Sequence, residues 1–133
     1  MDEEIKVTNS EWYVMSCLWD ESPLTLMQIV PLLEEMVGWS KSTCATMLRR
    51  MTQKGLIGFE EKGKTKYFYP LVKKEAVVVQ ETRDFLKRIY NGSVSLMMSS
   101  LIGGEGLTGK DIDELQKLLD AEKDRLRGKG NDK

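Results

Sequence analysis

No histidine occurs among the 133 residues. That removes the commonest general base, the commonest zinc ligand and every Ser-His or Cys-His nucleophile pair. Carboxylates are plentiful, but they fall in runs such as Asp111-Ile112-Asp113-Glu114 and Asp120-Ala121-Glu122, which read as solvated helix faces. A carboxylate-based hydrolase has no supporting constellation, so the chain is expected not to be an enzyme. No cofactor motif, metal-ligand cluster or small-molecule site is evident. There are only two cysteines, Cys17 and Cys44. Both sit at apolar helical positions without a pairing pattern, as core residues do in a reducing cytosol. No apolar run approaches the roughly eighteen residues needed to span a bilayer, and Met1-Asp2-Glu3-Glu4 has neither the basic nor the apolar stretch of a leader. A cytoplasmic chain of one domain, or one domain and an appendage, is expected.

Acidic residues are themselves missing from one place. Residues 39–59 carry Lys41, Arg49, Arg50 and Lys54 and no carboxylate, although the whole chain has a formal net charge of −1. Residues 1–39 hold one lysine against eight acids; residues 40–66 hold seven cations against Glu60 and Glu61. Ordinary solvated faces mix signs. A polarised chain with a cationic middle points to a polyanionic partner for that segment.

The periodicity predicts helices, then a hairpin, then helices. Thr8-Asn9-Ser10-Glu11 is a capping box, with Val7 and Trp12 at staple positions. Trp12, Met15, Leu18 and Trp19 follow as an apolar stripe. Thr25-Leu26-Met27-Gln28 opens a second helix, with Ile29, Leu32, Leu33 and Met36 on one face and Pro31 inside it. Ser40 caps a third helix that Gly55 closes. Its core stripe is Cys44, Met47, Leu48 and Met51, which leaves a small, hydroxylic and basic outer face. Residues 56–61 and 65–69 then read as strands around a basic tip, Lys62-Gly63-Lys64. At least one of Tyr67, Phe68 and Tyr69 must pack inward, because consecutive strand residues face opposite ways.

Beyond residue 73 the pattern turns helical again, roughly over 74–90 with Val78, Phe85 and Ile89 prominent, then over 94–102 and from Thr108 onward. Gly104-Glu105-Gly106-Leu107-Thr108-Gly109-Lys110 copies the spacing of a phosphate loop. It fails at Asp111, where Ser or Thr should hold magnesium, and no buried strand leads into it. It is read as a connecting loop. The expected fold is mainly α with a small β-hairpin: a winged helix-turn-helix over 1–72, a helical dimerisation region over 73–127 and a flexible tail over 128–133. Phe85, Ile89, Leu96, Leu101, Ile112, Leu115 and Leu119 are the candidate dimerisation residues, since helices this amphipathic need a second surface to cover them.

A helix entering the major groove needs small residues for close approach and donors for base edges and phosphates. Lys41, Ser42, Thr43, Ala45, Thr46, Arg49 and Arg50, with Lys62, Lys64 and Lys66 on the wing, are therefore the candidate DNA-binding residues. The competing interpretation is a winged-helix interaction module that docks an acidic protein.

The segments "SEWYVMSCLW", "PLTLMQIV", "WSKSTCATMLRRMTQKGLI" and "EKGKTKYFYPLV" follow one another at the spacing of the BlaI/MecI penicillinase-repressor family. "NGSVSLMMSSLI" and "DIDELQKLL" resemble its dimerisation region. The resemblance covers roughly residues 6–120. It implies a winged-helix repressor binding palindromic operators in double-stranded DNA as a homodimer. Thr43, Thr46 and Arg50 would stand at operator-contacting positions, and the wing around Lys62, Lys64 and Lys66 on the backbone. In resistance-controlling members a membrane sensor protease triggers cleavage in the dimerisation helices. The corresponding bond here would join Ser99 and Ser100, where those members have Asn-Phe. Copper-responsive relatives carry a C-terminal Cys-x-Cys pair, and this chain has no cysteine after Cys44. Ala45 replaces a larger polar residue common in the family, and Lys64 a common wing arginine.

Overall fold

The computed structural model describes residues 6–129. Its elements are α1 (Asn9–Asp20), α2 (Leu26–Val37), α3 (Lys41–Lys54), β1 (Ile57–Lys62), β2 (Thr65–Pro70), α4 (Lys74–Tyr90), α5 (Val94–Gly103) and α6 (Gly109–Gly128). The chain divides into two compact units, one running to Asp84 and the other starting at Phe85.

Local chemistry sets the ends of the first three helices. The Thr8 amide donates to Glu11 Oε1 at 2.9 Å while the Glu11 amide donates to Thr8 Oγ1 at 3.1 Å. Thr25 and Gln28 repeat the arrangement at α2. Both are reciprocal capping boxes that satisfy amides no helical carbonyl can reach. At α3 the Ser40 side chain accepts from the Thr43 amide at 3.3 Å. Gly55, at φ 90°, closes α3 by donating to the Met51 carbonyl at 3.1 Å, a left-handed conformation that only glycine adopts without strain. Pro31 lies inside α2 on its exposed side.

The hairpin is antiparallel, with Ile57 opposite Pro70 and Lys62 opposite Thr65. Gly63 and Lys64 alone make the turn. Gly63, at φ 64°, supplies the positive angle that a two-residue hairpin turn demands. Lys62 is thus the last residue of β1 rather than part of the tip. Opposite Gly58 lies Tyr69, whose ring would come within 3.2 Å of any Cβ placed there. Leu24, in the α1–α2 connection, exchanges both backbone hydrogen bonds with Phe68, at 2.8 and 3.0 Å. That bridge anchors the wing to the helices.

The core of this unit collects Val14, Met15 and Leu18 from α1, Ile29 and Leu33 from α2, and Cys44, Leu48 and Met51 from α3. Leu56, Ile57 and Phe68 from the wing and its approach, Val77 of α4, and Val7, Cys17 and Leu24 complete it. Trp12 and Trp19 pack against it edge to face, 5.3 Å between centroids, and the Trp19 indole donates to the Val72 carbonyl at 3.0 Å. Of the stripe expected on α2, Leu32 and Met36 are instead 40% and 49% exposed. The contact line runs through Ile29 and Leu33, leaving those two side chains at the edge of a hollow beside Ser16, Cys17 and Asp20. On α4 the inward residue is Val77, while Val78, Phe85 and Ile89 face solvent in the single chain.

In the second unit, α5 is capped by Ser93, which accepts from the Leu96 amide, and α6 by a reciprocal Thr108–Asp111 box. Thr108 and Asp111 therefore complete a helix start, and the phosphate-loop spacing upstream leads only into that cap. Gly128 ends α6, so the helix takes in the first residue of the expected tail; the rest of that tail beyond Lys129 lies outside the described residues. Among the described residues, no helix is long and apolar enough to cross a membrane.

Candidate nucleic-acid interface

With Cys44, Leu48 and Met51 buried, the 3.6-residue period of α3 turns Ser42, Thr46, Arg49, Arg50 and Gln53 away from the core. Lys41, Ser42, Thr43, Arg49 and Arg50 are exposed, and Ala45 and Thr46 are half-buried on the flanks. No carboxylate among the described residues pairs with Arg49 or Arg50, so both guanidinium groups keep their donors for another molecule. At the start of α3 the Ser40 hydroxyl lies 3.1 Å from that of Ser42 and 3.2 Å from that of Thr43. They surround the first turn of the helix, an end that favours negative charge.

Lys54 does not belong to this outward set. Its ammonium donates to both oxygens of Glu11, at 2.8 and 3.1 Å, across 43 residues of sequence. Glu11 is 8% exposed and is the only buried polar residue among the described ones. Burial works against its charge, yet the Lys54 ammonium and the Thr8 amide outweigh that and hold its carboxyl below the usual carboxylate range. One of the four cations between residues 39 and 55 thus fastens the C-terminal end of α3 to the start of α1.

The wing's cations are partly engaged. The Lys66 ammonium lies 4.5 Å from the centre of the Phe59 ring and that of Lys62 5.6 Å from Tyr67. Both are exposed, so they keep faces toward water while the rings hold their stems in place. Lys64 projects from the turn itself. Of the three consecutive aromatics, Phe68 is buried, Tyr67 half-buried and Tyr69 exposed. A groove of about 750 Å³ separates α3 from the wing, and Ala45, Arg49, Lys64 and Lys66 line it together with Met27 and Gln53. Gln53 belongs to the outer face expected of α3, whereas Met27 escaped the sequence reading, since only the folded arrangement brings the start of α2 beside the wing.

In the second unit, Phe85, Ile89, Leu96, Leu101, Ile112 and Leu119 are between 39% and 59% exposed, and Leu115 is half-buried. Ser99 and Ser100 are exposed on α5, with the Tyr90 hydroxyl 3.1 Å from Ser100 Oγ.

A three-helix core with a two-stranded wing and an acid-free, basic third helix defines the chain as a winged-helix protein of the kind that regulates transcription. The penicillinase repressor family model matches residues 7–121, and the chain belongs to that family. It is 27% identical over 122 residues to the penicillinase repressor of Bacillus licheniformis, covering 92% of this chain and 95% of that one. To the methicillin resistance regulatory protein MecI of Staphylococcus aureus (strain N315) it is 24% identical over 114 residues, covering 86% and 93%. The solution structure of the DNA binding domain of the repressor BlaI superposes with a TM-score of 0.50 at 24% identity, covering 57% of this chain and 93% of that one. That likeness shares the winged-helix fold.

Proposed function

We propose that this protein represses transcription as a homodimer that reads a palindromic operator in double-stranded DNA. Residues 1–72 supply the DNA-binding unit and residues 73–127 the dimerisation region. The observation that carries this reading is the outer face of α3: Ser42, Arg49 and Arg50 are exposed, Thr46 lies half-buried on the flank, and no carboxylate among the described residues pairs with either arginine. Arg50 carries the forked donors that read guanine O6 and N7, and Thr43 and Thr46 suit phosphates or thymine methyl groups. Lys62, Lys64 and Lys66 serve the neighbouring backbone. The DNA-binding members of the family, BlaI among them, support the same assignment.

The second unit supports the homodimer. Neither α5 nor α6 buries a single residue in the lone chain. Exposed apolar side chains of this number are covered in a stable protein, and a second copy does so with two-fold symmetry. Two copies of α3 then fall one helical turn apart, or a multiple of it. Selection from a random duplex pool with full-length protein tests the reading. An inverted repeat should be enriched. A folded protein that enriches nothing would leave the basic face to an acidic protein and end the repressor assignment.

A further inference from the structure

The groove between α3 and the wing has a lining that DNA contact does not explain. A duplex offers phosphates and base edges, yet the floor is apolar: Leu26, Leu48, Phe59 and Phe68. Met27, 64% exposed, continues that apolar surface out to the rim. The cations are Arg49, Lys64 and Lys66, and no carboxylate lines the groove. Its size, about 750 Å³, lies within the range of small-molecule sites, which combine an apolar floor with a few polar groups. Ala45 keeps it open on the α3 side.

We infer that this groove binds a small organic anion with an aromatic or branched apolar body, and that its occupation excludes duplex DNA. The apolar body rests on Phe59 and Met27 while the anion meets Arg49 and the wing lysines. Lys66 already lies over the Phe59 ring, so an aromatic ligand would share that ring with the ammonium. Exclusion follows because Ala45, Arg49, Lys64 and Lys66 line the groove and are also assigned to the operator. Only the exclusion rests on the DNA-binding reading; the site itself does not.

The test is a titration of isotope-labelled, full-length protein with naphthalene-1-sulfonate, read by amide shifts in two-dimensional NMR. Saturable shifts are expected at Thr25–Met27, along the groove side of α3 and in the wing. Met27→Glu should weaken binding by roughly tenfold or more, because it places a like charge at the rim. This variant should fold at least as well, since an acid in the first turn of α2 complements the helix dipole. Neutral naphthalene methanol should bind at least about tenfold less tightly than the sulfonate. Shifts confined to α5 and α6, or an affinity indifferent to Met27→Glu, would overturn the site. Adding the selected duplex should reverse the shifts; a protein that holds duplex and probe together would overturn the exclusion. If no duplex binds while the groove shifts persist, it is the repressor reading that fails and the anion site that stands.

Discussion

Replacing Lys54 with methionine removes the partner of a carboxylate that has little other access to charge compensation. The Glu11 side chain is 11% exposed and Lys54 38%. Removing one partner of a fully buried pair costs about 3–5 kcal/mol, because the survivor is stranded. Here solvent reaches the lysine side and reduces the figure. A loss of about 2 kcal/mol is expected for Lys54→Met at neutral pH, the Thr8 amide remaining with Glu11. Glu11→Gln should cost less, about 1 kcal/mol, because glutamine keeps the cap and the freed lysine swings into water. The double-mutant cycle should return a coupling of about 1 kcal/mol.

The coupling should also depend on pH with a definite sign. Glu11 is held below its ordinary range in the folded protein. Its contribution is present above the unfolded value and disappears as pH falls through the folded value. In Lys54→Met, burial acts on Glu11 without the ammonium, so that variant loses less on acidification. Urea unfolding of the four proteins at pH 7 and near pH 3 measures this. Equal costs for both single changes, or a coupling no smaller in acid than at neutral pH, would refute the reasoning.

Arg50→Ala should cost about 1–3 kcal/mol of operator affinity and relax preference at one position per half-site, in a panel of substituted duplexes. Uniform weakening would instead make Arg50 a phosphate contact. The triple change Lys62→Ala, Lys64→Ala, Lys66→Ala should weaken all duplexes alike, and unchanged affinity would remove the wing from the interface. Ile112→Lys with Leu119→Lys should convert a dimer to monomer in sedimentation equilibrium while the winged helix keeps its fold; a mass unchanged from the parent would place the dimer contact elsewhere. Burial raises the thiols of Cys17, which Asp20 also opposes, and of Cys44. Both should react with a disulfide reagent only after unfolding, and rapid reaction in the native protein would contradict their placement.

Features fixed by neighbours in sequence were legible beforehand. Thr8, Thr25 and Ser40 start helices and Gly55 ends one, because each cap needs only residues three or four positions away. The inward stripe of α3 and its basic outer face followed from the 3.6-residue period alone. What escaped depends on contacts distant in sequence. Nothing local to Lys54 marks it as the partner of Glu11. Leu32 and Met36 satisfy the helical period, but which part of a broad apolar face touches a neighbour is decided by the helices packed against it. Lys62 joined the strand because a two-residue turn at Gly63 closes the hairpin later than composition suggested. Phe59 and Tyr67 hold wing lysines by stacking across the strands, a relation that register, not composition, creates. The groove is the extreme case, since α2, α3 and the wing build it together.

The central claim is that α3 and the wing meet the phosphates of a duplex as a pair of subunits, and the salt dependence of operator affinity tests it most directly. If three or four cations per subunit engage phosphates, the dimer releases about seven counterions. The logarithm of the association constant should then fall with the logarithm of salt at a slope of roughly −6. A slope near zero, with the protein folded and the inverted repeat present, would mean that this basic face does not lie on the DNA backbone.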